Sequence, residues 1–146
     1  MCEKGRHSCA FPFHKDFHAL SLEKVQGWLV ELHGAFFRES LTAVGPWIRE
    51  RKSAILVGVR VFFSGIFPTD TTVATHPLGT LVLDLGGTLA ESSTEATHLL
   101  TVPHKNTPNT QKAREKGGIH ILAYQWLWAC WANYERVDEY LYSFWY

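Results

Sequence analysis

The run Gly118-Ile-His-Ile-Leu-Ala-Tyr-Gln-Trp-Leu-Trp-Ala-Cys130 constrains the fold more than any other stretch of the chain. Its first half alternates apolar residues with His120, which predicts a short buried strand over residues 119–122. The period then changes. Trp126 and Cys130 stand four residues apart, so a helix from Tyr124 to about Tyr134 carries a large ring and a small thiol on one face.

The same two periods recur upstream. Val59 to Phe63 follows Gly58, is rich in β-branched and aromatic residues, and predicts a buried strand. Leu78, Leu81, Val82 and Leu85 fall at i, i+3, i+4 and i+7, one face of a helix that stops at Gly86-Gly87. Short strands are expected at Thr88 to Ala90 and His98 to Val102. Pro103 to Asn109 reads as a loop, and a helix runs from Thr110 to Lys116 before Gly117-Gly118. The order β-α-β-β-α-β-α implies an α/β fold with a four-stranded, largely parallel sheet and helices on both faces. Ahead of it, Leu20, Val25, Trp28, Leu29, Leu32 and Phe36 recur at three- and four-residue steps. They predict an amphipathic helix with Ser21 as N-cap. Gly45-Pro46 breaks that pattern, and a second helix is expected around Arg49 to Lys52, its charges forming a solvated face. The expected organisation is a helical segment over 1–54 and an α/β domain over 55–146.

Composition narrows the function classes. The 146 residues carry a formal net charge of zero, with 46% hydrophobic and 19% charged residues. That supports a buried core and argues against direct nucleic-acid binding, which needs clustered Lys and Arg. No apolar run approaches the roughly 18 residues that span a bilayer, and the charged N-terminus lacks the apolar stretch of a secretory signal. Three cysteines fit a reducing compartment. Cys2 and Cys9 lie near His7, His14 and His18, yet their spacing matches no zinc finger, so a polar terminus without a metal site is expected. No cofactor is expected.

Four features in order carry a resemblance: Phe63-Ser64-Gly65, Leu85-Gly86-Gly87-Thr88, Ala96-Thr-His98-Leu-Leu and Trp126-x-x-x-Cys130. Together they resemble a BRCT domain, a small phosphoprotein-binding module. Val61 to Thr69, Trp126 to Cys130 and Tyr134 to Tyr142 are further similar to the BRCT domain of the phosphatases acting on the C-terminal repeat domain of RNA polymerase II. That resemblance implies a nuclear protein whose partner is a phosphorylated protein, the polymerase repeat domain being the candidate. It also implies a catalytic domain upstream, with an Asp-x-Asp-x-Thr motif and magnesium; no such motif occurs in this sequence. In phosphate-binding members, Ser64 would give its hydroxyl, Gly65 its backbone N–H and Lys112 its charge. Thr110 would cap the helix beside them. Gly86, Gly87, Trp126 and Cys130 would be structural core, and His98 a hydrogen-bonded structural residue. An alternative function is a scaffold that binds through its apolar N-terminal helices and ignores phosphate.

One motif suggests chemistry instead. Leu81-Val-Leu-Asp84-Leu-Gly86-Gly-Thr88 resembles the nucleophile strand of haloacid-dehalogenase phosphatases, with Asp84 attacking phosphorus. A second Asp, two residues on, would be the acid and base there; here Gly86 stands in its place and transfers no proton. Too little chain follows Asp84 for the rest of that fold. Catalysis by Asp84 is therefore the weaker alternative, and this chain alone is expected not to hydrolyse phosphate esters.

Overall fold

The structure is a computed structural model that describes residues 22–38 and 40–143. Ser21 and the Cys2, Cys9, His7, His14 and His18 group lie outside the described residues. The chain divides into two compact units between Leu41 and Thr42. The first contains helix α1 (Leu22–Arg38), with Glu23 in its first turn and Arg38 in its last, each complementing the helix dipole. Ala35 is buried on it, while Leu22, Leu29, Val30 and Phe37 are exposed.

The second unit opens with helix α2 (Val44–Lys52). Gly45 and Pro46 do not precede this helix but form its first turn, where a proline lacks no hydrogen bond. It ends at Lys52, so Ile55 and Leu56 belong to the turns that follow. Next come β1 (Arg60–Ser64), a 3-10 turn at Val73–Thr75, helix α3 (Pro77–Asp84), β2 (Thr88–Leu89), β3 (His98–Thr101), helix α4 (Pro108–Lys116), β4 (His120–Ala123) and helix α5 (Gln125–Asn133). A last 3-10 turn spans Glu139–Tyr142.

All four strands pair in parallel, in the order β2-β1-β3-β4. From β1 the chain crosses through α3 to one side, and from β3 it crosses through α4 to the other. Parallel crossovers are right-handed, so these two moves put α3 and α4 on opposite faces. The strand order therefore reverses between β1 and β3. Helices α3 and α5 share one core, in which Leu78, Val82 and Leu85 pack with Trp126, Leu127 and Cys130 around Val61, Leu100 and Leu122. Trp126 and Cys130 are each fully buried, as their spacing implies. Trp128 also turns inward, packing partly buried against this core with its ring edge-on to Trp131.

The double glycine has a steric cause. Gly86 holds φ 83°, and a Cβ there would lie 1.7 Å from the Ser53 carbonyl oxygen. Only glycine lets the end of α3 approach the turn after α2 so closely. That approach brings Leu56 N–H to the Leu85 carbonyl at 2.8 Å.

The C-terminal segment closes the β4 edge. Ser143 bridges Leu122 in antiparallel fashion, and the Trp126 indole N–H donates to the Val137 carbonyl at 2.8 Å. Covering an exposed edge strand in this way prevents further pairing.

Candidate functional site

In an open parallel sheet, ligands bind outside the carboxyl ends of the strands where the strand order reverses. Here that point lies between β1 and β3, whose last residues, Ser64 and Thr101, are neighbours in register. The Ser-Gly pair singled out from the sequence ends β1 at this corner. Ser64 is buried, at 2% exposure, and Gly65 turns the chain with φ 69°. A Cβ on Gly65 would come to 3.0 Å from both the Lys105 and Thr107 side chains, so a side chain here would press both aside and sit at a strained φ.

Across the corner, α4 begins. The sequence pattern put its start at Thr110; it starts two residues earlier, and Thr107 is the N-cap. Thr107 Oγ1 accepts from the Thr110 N–H at 3.2 Å, and Pro108 occupies the first helical position. Proline suits that place because its fixed φ is helical and its missing N–H would be unpaired anyway. Thr110, buried at 1% exposure, exchanges a hydroxyl bond with Thr107 at 2.9 Å. Thr107 in turn meets the Ser64 hydroxyl at 2.5 Å. Ser64, Thr107 and Thr110 therefore form one hydroxyl chain linking the end of β1 to the first turn of α4. The Thr101 hydroxyl is buried beside Ser64 with no hydrogen-bond partner among the described residues.

The basic residues divide. Lys112 lies exposed in α4, five residues after the cap. The lysine that touches the corner is Lys105, whose Nζ donates to the Gly65 carbonyl at 2.8 Å. Sequence pattern alone pointed to neither Thr107 nor Lys105. Thr107-Pro108 carried a usable signal, a capping residue before a proline; nothing local marks Lys105. The corner thus combines buried hydroxyls, a glycine backbone, a helix N-terminus and the ammonium of Lys105, all groups that suit a phosphate.

The motif around Asp84 does not form a catalytic strand. Leu81 to Asp84 lie in α3, Asp84 is its last residue, and it is exposed. The nucleophile-strand resemblance therefore fails on conformation as well as on the missing second Asp. Among the described residues, no group of three or more His, Cys, Asp or Glu side chains gathers to hold a metal ion.

A separate polar cluster braces the far side of the sheet. His98, 2% exposed, stacks between His120 and Trp126, with ring centroids 4.8 and 4.9 Å away. Its Nε2 meets Glu139 Oε1 at 3.2 Å, and its Nδ1 meets the Thr97 hydroxyl at 2.8 Å. Burial pushes the imidazole down from 6.5 to about 4, although the bond to Glu139 opposes it. The neutral ring is thus held through both nitrogens, with Arg136 Nη2 also 3.4 Å from Nε2. Burial raises the Glu139 carboxyl, but bonds from its own backbone, Arg136 and His98 outweigh that and bring it to about 2. Burial pushes the Cys130 thiol up to about 11, which leaves it a packing residue and not a nucleophile.

The profile of the BRCA1 C Terminus (BRCT) domain matches residues 51–131, more than half of the chain. The chain belongs to the BRCT family. Within it, the chain is similar to the human phosphatase of the RNA polymerase II C-terminal domain, 26% identical over 142 residues. That match covers 86% of this chain but only 14% of the human protein. Among solved structures, that of Fcp1, an essential RNA polymerase II CTD phosphatase, superposes with a TM-score of 0.72 at 24% identity; 85% of this chain and 37% of that chain are covered. The Rad4 BRCT1,2 structure in complex with a Crb2 phosphopeptide has a TM-score of 0.51 at 16% identity, covering 80% and 62% respectively.

Proposed function

We propose that residues 55–146 are a phosphoprotein-binding module, and that its ligand is a phosphoserine segment of the RNA polymerase II C-terminal repeat domain. The observation that carries this reading is the corner at the β1/β3 reversal, where Ser64, Gly65, Thr107 and Thr110 meet the start of α4. A phosphate there gains a backbone donor, a helix N-terminus and lysine charge, and charge-assisted bonds are the strong ones. The phosphopeptide in the Rad4 complex supports the ligand class, and the likeness to the polymerase phosphatases supports the partner. In this reading the protein works in the nucleus, beside an enzyme that removes phosphate from the repeats. The chain itself contributes recognition and not hydrolysis.

A second reading has its own observation. The Ser64 hydroxyl is buried and already bonded to Thr107, while α1 exposes Leu22, Leu29, Val30 and Phe37. A phosphate-independent scaffold would use that apolar helix. Calorimetric titration of one polymerase-repeat peptide, with and without a phosphoserine, separates the two. Phosphate binding predicts micromolar or weaker affinity for the phosphorylated form, lost in Ser64→Ala and Lys112→Glu. Equal affinity for both peptides would leave the scaffold.

A further inference from the structure

Helix α4 follows β3 through a turn whose geometry aims one side chain. The Lys105 N–H bonds the Val102 carbonyl at 3.2 Å, and His104 holds φ 63°. Proline at the second position and a positive φ at the third are the marks of a type II turn. The turn returns the chain toward β1. The Lys105 stem then lies along Gly65, its Cδ and Cε 3.0 and 3.1 Å from the place of the missing Cβ. Its ammonium ends on the carbonyl of Gly65, the same residue whose N–H would be the backbone donor to a phosphate.

We propose that Lys105 is a second phosphate-binding cation of this corner, resting on the Gly65 carbonyl when the site is empty and turning to the phosphate when it is filled. The inference rests on the phosphoserine reading above. A carbonyl oxygen is a neutral acceptor, whereas a phosphoserine carries close to two negative charges and three acceptor oxygens. The exchange therefore favours the phosphate. The move is small, because the stem already lies over Gly65 and the ammonium sits on a flexible four-carbon chain. Lys112 belongs to the helix and Lys105 to the loop before it, so a phosphate held by both would be met from two different elements. The glycine is needed for this too, since any Cβ at 65 would displace the Lys105 stem.

The test uses the full chain and a fluorescein-labelled polymerase-repeat peptide with one phosphoserine, next to its unphosphorylated twin. Fluorescence anisotropy is measured for the parent, Lys105→Met, Lys105→Arg and Ser64→Ala. Lys105 is exposed, so thermal melts of its variants should overlay the parent. The expected result is about a tenfold loss of phosphopeptide affinity in Lys105→Met, equivalent to about 1.4 kcal/mol. Affinity for the unphosphorylated peptide should not change, Lys105→Arg should retain most binding, and the gap between parent and Lys105→Met should narrow as salt is raised. Phosphopeptide binding that survives intact in Lys105→Met but falls in Ser64→Ala would overturn the role of Lys105 and leave the phosphoserine reading standing. A parent that binds both peptides equally would overturn both.

Discussion

His98 makes the protein acid-labile in a definite pH window, and the window identifies the residue. In the folded state the ring is neutral, with a pKa lowered from 6.5 to about 4, largely because it is buried between His120 and Trp126. The charged groups facing it are His120 and Arg136, which disfavour its protonation, and Glu139, which favours it. A histidine with a lowered folded pKa leaves the folded state binding fewer protons than the unfolded chain. Stability is therefore full above pH 6.5 and falls as the pH drops from 6.5 towards 4. One pKa unit is worth about 1.4 kcal/mol, so the loss should be about 1.4 kcal/mol at pH 5.5 and approach roughly 3 kcal/mol near pH 4.

Glu139 acts in a different window. Its pKa is lowered from 4.5 to about 2, so its contribution persists above 4.5 and is lost as the pH falls from 4.5 towards 2. Between pH 6.5 and 4.5 the histidine should dominate. Urea unfolding followed by tryptophan fluorescence at half-unit steps from pH 7.5 to 4.5 would measure this slope. His98→Gln keeps a polar side chain and removes the titration, so it should be less stable at pH 7 but flatter with pH. Parallel curves for parent and His98→Gln across that range would refute the assignment.

Replacing Trp126 with Ala should cost about 3–5 kcal/mol in urea unfolding, through lost burial, a cavity and an unpaired Val137 carbonyl; a variant that melts like the parent would remove Trp126 from the core. Gly86→Ala sets a Cβ against the Ser53 carbonyl at a positive φ, so circular dichroism should show a large fall in Tm or no folded protein. With magnesium and either a phosphopeptide or an aryl phosphate, the chain should release no phosphate above the blank, and Asp84→Asn should behave identically. Turnover abolished by Asp84→Asn would restore the phosphatase reading.

What the sequence revealed and what it hid differ in range. Trp126 and Cys130 were legible because four-residue spacing on a helix is a local fact, and burial of one face follows from it. The strand ending in Ser64-Gly65 was legible from its β-branched and aromatic residues, whereas the pair as a phosphate corner came from the family resemblance and not from local pattern. Gly86-Gly87 read correctly as a helix stop, although the reason, contact with Ser53 two elements back, could not be seen. The start of α4 was misplaced because Thr110 also suits a cap; the proline at 108 decides it for Thr107.

Lys105 and the Glu139–His98 brace were out of reach for a physical reason. Each joins residues about 40 positions apart through one side chain of a loop or a short 3-10 turn, and such segments have no period to read. The corner and the brace also lie at opposite ends of β3, since Thr101 is its last residue and His98 its first. The strand therefore ties a candidate ligand site to a buried histidine through a rigid four-residue element. Acid that protonates His98 should loosen the C-terminal segment while the hydroxyl chain at Ser64 stays bonded. Amide exchange at pH 5 and pH 7, corrected for the intrinsic pH dependence of exchange, would report it: protection should be lower at pH 5 at Val137 and Ser143, with a smaller change at Thr110.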